Sequence, residues 1–320
     1  MDKRLNKYTL KARRKITHKT FRDNVAFVKL FQSASKAIHS EFMREYRAAI
    51  KLMDRQDAFE KLASYAVKEH PEIYDKEKFL KLNPKWEPLE VSAQKSTEQY
   101  EKAKKKDENE INKYLKGWDS NIEPENMAKI LGIYSVKAGN LGGQAAIKKL
   151  GIKVSFNLKS KALLNELKKR GEMISGNISQ RTLNDFRKIL YTSYMEKGIS
   201  PYEVKQKIEF LFEETYRNRA MAIARTETGI ASSIVQHESY EKNGIEKKEW
   251  LATMDDKTRE SHAEANGQIV PIDEPFQVGD AELMHPLDPD GPPEEVCNCR
   301  CDELPVIGEP VKAEEAWSGE

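Results

Sequence analysis

Ser200-Pro201-Tyr202-Glu203 opens, and Asn243-Gly244 closes, the stretch that decides the fold. A serine followed three residues later by a glutamate is a capping box, in which each side chain satisfies a backbone N–H of the other at a helix start. Pro201 falls at the first helical position, where a missing N–H costs nothing. Asn243-Gly244 reads as a left-handed stop, since glycine reaches positive φ without a Cβ clash. The spacing between these signals predicts helices over 201–216 and 217–242. After Gly244 the period changes. Lys248, Trp250 and Ala252 alternate with Glu249, Leu251 and Thr253, which predicts a strand. Turn residues then crowd together at Asn266-Gly267, Pro271, Pro275, Gly279, Pro286, Pro289 and Gly291-Pro292-Pro293. Residues 245–307 therefore read as a small α+β module.

Upstream of residue 200 the pattern stays helical. Helices are expected over 159–170 and 178–197. From 122 to 150 an apolar periodicity runs through Met127, Ile130, Leu131, Tyr134 and Val136, then meets Gly139, Gly142 and Gly143. These glycines are not read as a phosphate loop, because no Gly-Lys-Ser/Thr ending follows and no clear strand precedes. Ile152–Phe156 is a short extended candidate. Residues 21–70 read as helix, with Phe27, Leu30, Phe31, Ala34, Ile38, Phe42 and Tyr46 recurring at three and four. A second apolar set, Phe59, Leu62, Tyr65 and Ala66, stops before Pro71. Residues 83–90 form a linker-like break, and 91–116 are charged enough for a solvated helix face or a mobile segment. Trp86 and Trp118 read as packing anchors and Trp250 as module core. The expected fold is mainly α, with an elongated helical N-terminal region and a small C-terminal α+β module. Its segments are a basic helical region (1–120), a helical region (121–244), the module (245–307) and a frayed tail (308–320).

Composition agrees with an extended helical protein. Of 320 residues, 33% are charged and 38% hydrophobic, and the mean hydropathy is −0.74. That suits helices with wide solvated faces, or burial completed against a partner. No run approaches the ~18 apolar residues of a membrane span. Met1–Lys15 is basic but lacks the apolar core of a secretory signal, so synthesis in a cytoplasm and no membrane contact are expected. Cys297, Cys299 and Cys301 make an odd, clustered set, unlike a disulfide framework. Charge is strongly polarised. Residues 1–60 carry 15 Lys/Arg against 7 Asp/Glu, whereas residues 251–320 carry 4 against 18. A helix face bearing Arg44, Arg47, Lys51 and Arg55 is the expected non-specific contact with double-stranded DNA.

Four pieces in fixed order carry a resemblance. They are Ile223-Ala224-Arg225-Thr226-Glu227; Trp250 followed by Asp255 to His262 and Asn266-Gly267; Ile272-Asp273-Glu274-Pro275-Phe276; and His285-Pro286 through Pro292-Pro293-Glu294-Glu295 to Asn298-Cys299-Arg300-Cys301. Over roughly 150–307 the chain resembles the Mu F-like minor head protein family of tailed phages. The resemblance implies a virion component that meets the portal protein, and scaffold or capsid protein, during procapsid assembly in the host cytoplasm. It further implies an influence on genome packaging or ejection. No cofactor is expected.

The motif residues admit two readings. Arg225 and Glu227, two apart on a helix, must reach different partners. One reading makes them buried ion-pair members, with Arg225 on Asp255 or Asp256. The other makes them a catalytic pair of the ADP-ribosyltransferase type, which also needs a nicotinamide pocket. Asp255, Asp256, Thr258, Arg259 and His262 form the densest polar cluster, either a hydrogen-bonded knot or acid–base and metal chemistry at His262. A cap from Thr258 would place Arg259 and His262 on one face of a short helix. His262, Cys299 and Cys301 are candidate zinc ligands. The expectation is nonetheless no metal, since cysteines alternating along one strand would share a face and be buried as small apolar groups. Trp250, Gly267, Asp273, Phe276, Asn298 and Arg300 complete the motif as structural residues.

Overall fold

The computed structural model describes residues 25–74, 97–118, 124–307 and 317–320. It is mainly α-helical with a small antiparallel module near the C-terminus. The helices are α1 (Val25–Asp54), α2 (Ala58–Glu69), α3 (Thr97–Tyr114), α4 (Pro124–Lys149), α5 (Lys161–Tyr191), α6 (Pro201–Phe210) and α7 (Tyr216–Lys242). The module comprises β1 (Lys247–Leu251), α8 (Glu260–Glu264), β2 (Ile269–Pro271), β3 (Phe276–Val278), β4 (Ala281–Leu283), α9 (Pro293–Val296) and β5 (Asp302–Val306). Residues before 25, the 83–90 break with Trp86, and 308–316 of the tail lie outside the described residues.

The chain divides into two compact units. One comprises Met1–Ile38, Ala128–Gly171 and Arg219–Glu320; the other comprises His39–Met127 and Glu172–Asn218.

In the first unit the core joins Ala138, Ala146 and Ile147 of α4, Leu163 and Leu167 of α5, and Ile230 and Val235 of α7 to Trp250 and Phe276 of the module. The glycines of α4 do not interrupt it. They let it lie close to its neighbours: a Cβ on Gly142 would sit 2.3 Å from the backbone oxygen of Ser232, and one on Gly143 would sit 2.2 Å from the Phe156 ring. Three antiparallel strands run β2-β1-β5, with Lys248 opposite Val270 on one side and Pro305 on the other. A separate β3–β4 hairpin turns at Gly279, whose φ is +58°.

Several sequence expectations change in this unit. Ile152–Phe156 forms no strand; the Phe156 N–H donates to Gln144 Oε1 and the Leu158 N–H to Asn140 Oδ1, so α4 side chains replace a ladder. The tail, expected to fray, is held at 317–320. Trp317 packs edge-on against Phe156 at 5.5 Å, its N–H donates to Asn243 Oδ1, and the Asn157 N–H donates to the Ser318 carbonyl. A large aromatic side chain and paired backbone groups anchor a terminus that composition alone leaves loose.

Helices expected at 159–170 and 178–197 are one helix, α5, running through Gly171 and Gly176. One glycine costs a helix about 1 kcal/mol, whereas each buried Leu or Phe returns roughly 1.5–3 kcal/mol. Leu163, Leu167, Leu183 and Phe186 of α5 are all buried. The capping box at Ser200 and Glu203 forms as read, with both reciprocal hydrogen bonds and Pro201 in the first turn. The helix it starts ends at Phe210 in a wider π-type turn, Leu211–Thr215, rather than at 216. Gly244, at φ +70°, follows the last turn of α7.

Among its described residues the second unit contains helices and connecting turns but no strand. Phe42 meets Tyr216 at 4.7 Å, Tyr216 meets Phe212 at 4.5 Å, and Trp118 packs on Phe186 at 5.3 Å. Among its described side chains the charged helix α3 buries an Asp107 and Ile111 stripe, where Asp107 accepts from Tyr65 and bonds to His70.

Candidate functional site around the Arg-Thr-Glu helix and the cysteine loop

The Arg-Thr-Glu triplet lies in the middle of α7, and its three side chains go three ways. Glu227 is buried and clasped by Arg170 of α5, with Nε donating to Oε2 at 2.8 Å and Nη2 to Oε1 at 3.0 Å. Burial pushes the Glu227 carboxyl above its usual range, against the opposing pull of the Arg170 charge and hydrogen bonds. Thr226 Oγ1 accepts from the Asn298 N–H at 3.0 Å, tying α7 to the cysteine loop. The Arg225 guanidinium stacks 5.5 Å above the Phe31 ring. Burial and the charge of Arg300 lower its pKa.

The expected pairing of Arg225 with Asp255 or Asp256 is therefore corrected. Asp255 takes a two-point contact from Arg300 instead, and Asp256 is exposed. The reason is proximity: Arg300, at the foot of β5, arrives opposite the Asp255 turn with its planar fork facing the carboxylate. Arg300 and local N–H donors hold the Asp255 carboxyl well below the usual range.

Thr258 does not cap α8. Its hydroxyl donates to the Thr253 carbonyl and accepts from the Asp255 N–H, closing the turn before the helix. Arg259 is the residue before α8, and its Nη2 donates to the Cys297 carbonyl at 2.6 Å. It therefore points elsewhere than His262. Gly267, at φ +82°, makes the turn whose N–H returns to the Trp250 carbonyl. Asp273 is exposed in the turn after β2. Trp250 and Phe276 meet edge-on at 5.4 Å in the module core.

His262, Cys299 and Cys301 converge. His262 Nδ1 lies 3.2 Å from Cys301 Sγ and 3.6 Å from Cys299 Sγ. On the other side of the ring, Nε2 faces Glu295 Oε2 at 2.9 Å, and Ser261 Oγ donates to the same oxygen. All three converging residues are buried, whereas Cys297 is exposed. The premise that the cysteines share one strand face is overturned. Strand β5 starts only at Asp302, and Asn298 takes φ +59°, which folds the chain into a turn.

Sequence reading missed the partners that complete the site. Arg170 lies 57 positions before Glu227 with no spacing signal to join them. Glu295 stood in a quoted motif without a role. Lys248, on an alternating strand, is fully buried; its Nζ donates to the Ile272 and Met284 carbonyls at 2.8 and 2.6 Å. Lys149 Nζ reaches Asp302 Oδ2 at 2.8 Å, and Gln236 Nε2 reaches Asp302 Oδ1 at 2.8 Å, so α4, α7 and β5 share one polar knot.

Of the four expected DNA-contact residues, Arg44, Arg47 and Lys51 lie on α1 and Arg55 in the turn directly after it, all in the second unit. Arg47, Lys51 and Arg55 are exposed at successive four-residue intervals. Arg44 is half-buried and bonded to Glu41 through two nitrogens.

The first unit thus defines a helix-docked α+β module organised around an Arg–Glu pair and a His-Cys-Cys cluster. Residues 161–304 match the family described as Phage Mu protein F like protein. Among relatives, YqbB of Bacillus subtilis is 31% identical over 159 residues, 48% of this chain and 52% of that protein. The NAD(+)--arginine ADP-ribosyltransferase EFV of Enterococcus faecalis is 36% identical over 115 residues, 35% of this chain and 23% of that protein. A Haemophilus influenzae protein is 36% identical over 94 residues, 29% of this chain and 19% of that protein. The chain thus spans about half the length of the first of these relatives and a quarter or less of the other two. No solved structure matches the chain. No helix among the described residues is long and apolar enough to cross a membrane.

Proposed function

We propose that this chain is a minor head protein of a tailed bacteriophage, made in the host cytoplasm and incorporated at the portal vertex during procapsid assembly. The observation that carries this reading is the family match over 161–304, which spans the Arg-Thr-Glu helix and nearly all of the module. In this role the chain binds the portal protein, with scaffold or capsid protein as further neighbours, and acts in genome packaging or ejection. The portal-facing surface is assigned to the helical stretch before residue 245. Non-specific DNA contact through Arg47, Lys51 and Arg55 belongs to the same reading.

The test is cross-linking of full-length protein to purified portal, followed by mass spectrometry. Cross-links from residues before 245 are expected. Cross-links confined to 246–320 would overturn the surface, and no binding together with absence from purified virions would overturn the role.

A second reading takes its motive from the Enterococcus relative, whose name states an arginine ADP-ribosyltransferase activity. The local geometry favours a structural role here, because Glu227 is spent on Arg170 and Thr226 on the Asn298 backbone. Incubation with labelled NAD and arginine-containing acceptors separates the two. Acceptor labelling that is lost in Glu227→Gln would establish the enzyme.

A further inference from the structure

We infer that His262, Cys299 and Cys301 bind one zinc ion, which staples α8 to the loop between α9 and β5. The sequence reading expected no metal, and the geometry reverses it. Four observations on the cluster converge.

The first is spacing. Zinc holds imidazole nitrogen at about 2.0–2.1 Å and thiolate sulfur at about 2.3 Å, so a tetrahedral N···S edge is about 3.5 Å. His262 Nδ1 lies 3.2 and 3.6 Å from the two sulfurs. All three ligand atoms fall within 4.8 Å of one another.

The second is tautomer. A carboxylate oxygen accepts, so Glu295 Oε2, 2.9 Å from Nε2, favours the tautomer with the imidazole proton on that nitrogen. Nδ1 is then left with its lone pair directed at both sulfurs. Three potential ligand atoms therefore converge in a buried space, within reach of one cation. A carboxylate behind the ligating histidine is also what fixes ring orientation and raises basicity at zinc sites.

The third is the support given to sulfur. The Cys301 N–H donates to Cys299 Sγ at 3.4 Å, a contact that favours the thiolate. The fourth is charge balance. Two thiolates and one Zn²⁺ sum to zero, so the filled cluster can be buried without an uncompensated charge. Two thiolates with one imidazole also select a soft, tetrahedral ion over magnesium or calcium. Three corners come from the protein, which leaves one coordination position open.

The role follows from what the loop carries. Asn298 docks on Thr226, and Arg300 grips Asp255. A metal held by Cys299 and Cys301 fixes both neighbours at once and sets how the loop sits on α7. This inference is independent of the head-assembly reading.

The test uses full-length protein purified without chelator. Elemental analysis should give about one zinc per chain. After metal removal, cobalt(II) should restore a visible tetrahedral d–d band and a sulfur-to-cobalt charge-transfer band. Cys299→Ser and Cys301→Ser should each abolish the charge-transfer intensity or halve it, whereas Cys297→Ser should leave stoichiometry and spectrum intact. Glu295→Gln keeps all three ligand atoms and should fold normally by circular dichroism, with metal affinity lowered 10–100-fold. Metal-free protein that gives no cobalt bands overturns the inference, as does zinc retained after both cysteines are changed. Loss of metal in Cys297→Ser overturns the ligand assignment.

Discussion

Half-buried Arg170 and buried Glu227 form a two-point ion pair that joins α5 to α7, with both donor–acceptor distances at or below 3.0 Å. Removing one member of such a pair leaves a desolvated charge behind. Arg170→Ala should therefore destabilise the protein by about 3–5 kcal/mol. Denaturant unfolding measures it. Arg170→Ala combined with Glu227→Leu should recover much of the loss, since an apolar replacement of both partners removes the stranded charge. Arg225→Ala, which loses only a ring-stacked cation, should cost about 0.5–2 kcal/mol. A larger loss at Arg225 than at Arg170 would reverse this assignment.

The direction of the Glu227 shift fixes a pH dependence. Its folded carboxyl titrates above its usual range because burial penalises the charged form. In the window just above the unfolded value, the folded chain keeps a proton that the unfolded chain has released. This group's contribution to stability must therefore fall as pH rises through the window, then level off. Asp255 contributes with the opposite sign, because its carboxyl is held low. The comparison to make is the difference in unfolding free energy between the parent chain and Glu227→Gln from pH 4 to pH 7. A flat difference would show that Glu227 has no raised folded pKa.

Two glycines should respond oppositely to alanine. At Gly142 a Cβ would lie 2.3 Å from a backbone oxygen of α7, which cannot give way cheaply. Overpacking of this kind costs about 1–3 kcal/mol and outweighs the helix preference for alanine. At exposed Gly176 nothing lies within 4 Å of the added atom. Gly176→Ala should stabilise by about 0.5–1 kcal/mol. Melting temperatures that move the same way in both variants would contradict the packing.

Lys248→Met tests the buried ammonium of β1. The thioether fills similar volume but leaves the Ile272 and Met284 carbonyls without their donor. Unsatisfied buried acceptors cost about 1–3 kcal/mol each, offset in part by no longer burying a charge. The net expectation is destabilisation on the order of 1–3 kcal/mol, read by thermal unfolding. A stabilised variant would mean that the charge costs more to bury than the two carbonyl bonds return.

DNA binding by α1 should involve three free-standing cations rather than four, since Arg44 is engaged by Glu41. Three phosphate contacts give a log–log salt slope of about −2.7 and a loss of affinity of about 40-fold between 50 and 200 mM salt. No base preference is expected. The titration compares full-length protein with Arg47→Glu/Lys51→Glu/Arg55→Glu. Equal binding by both would remove this face from the account.

The sequence by itself determined the features whose cause is local. Ser200 and Glu203 cap each other across three residues, Gly244 stops α7 because only its own φ matters, and the alternation around Trp250 marks β1 by period alone. The helical bulk and the polar module follow from the same short-range rules. Ordered motif pieces spread from Ile223 to Cys301 carry a resemblance to the family whose description residues 161–304 match. The tertiary structure decided what each motif residue touches. Arg170 reaches Glu227 across 57 positions, and Lys149 reaches Asp302 across 153. No periodicity spans such gaps. It also decided that Gly142 is a point of close approach to α7 and Gly143 to the Phe156 ring, that Gly171 and Gly176 leave α5 unbroken, and that Trp317 packs against Phe156. Each depends on a neighbour supplied from elsewhere in the chain, and burial energy there exceeds the local preference against it. The cysteines show the difference most directly. Spacing two apart predicts one shared face on a strand, but the positive φ of Asn298 turns the chain, and Cys299 and Cys301 close on His262 while Cys297 is left outside.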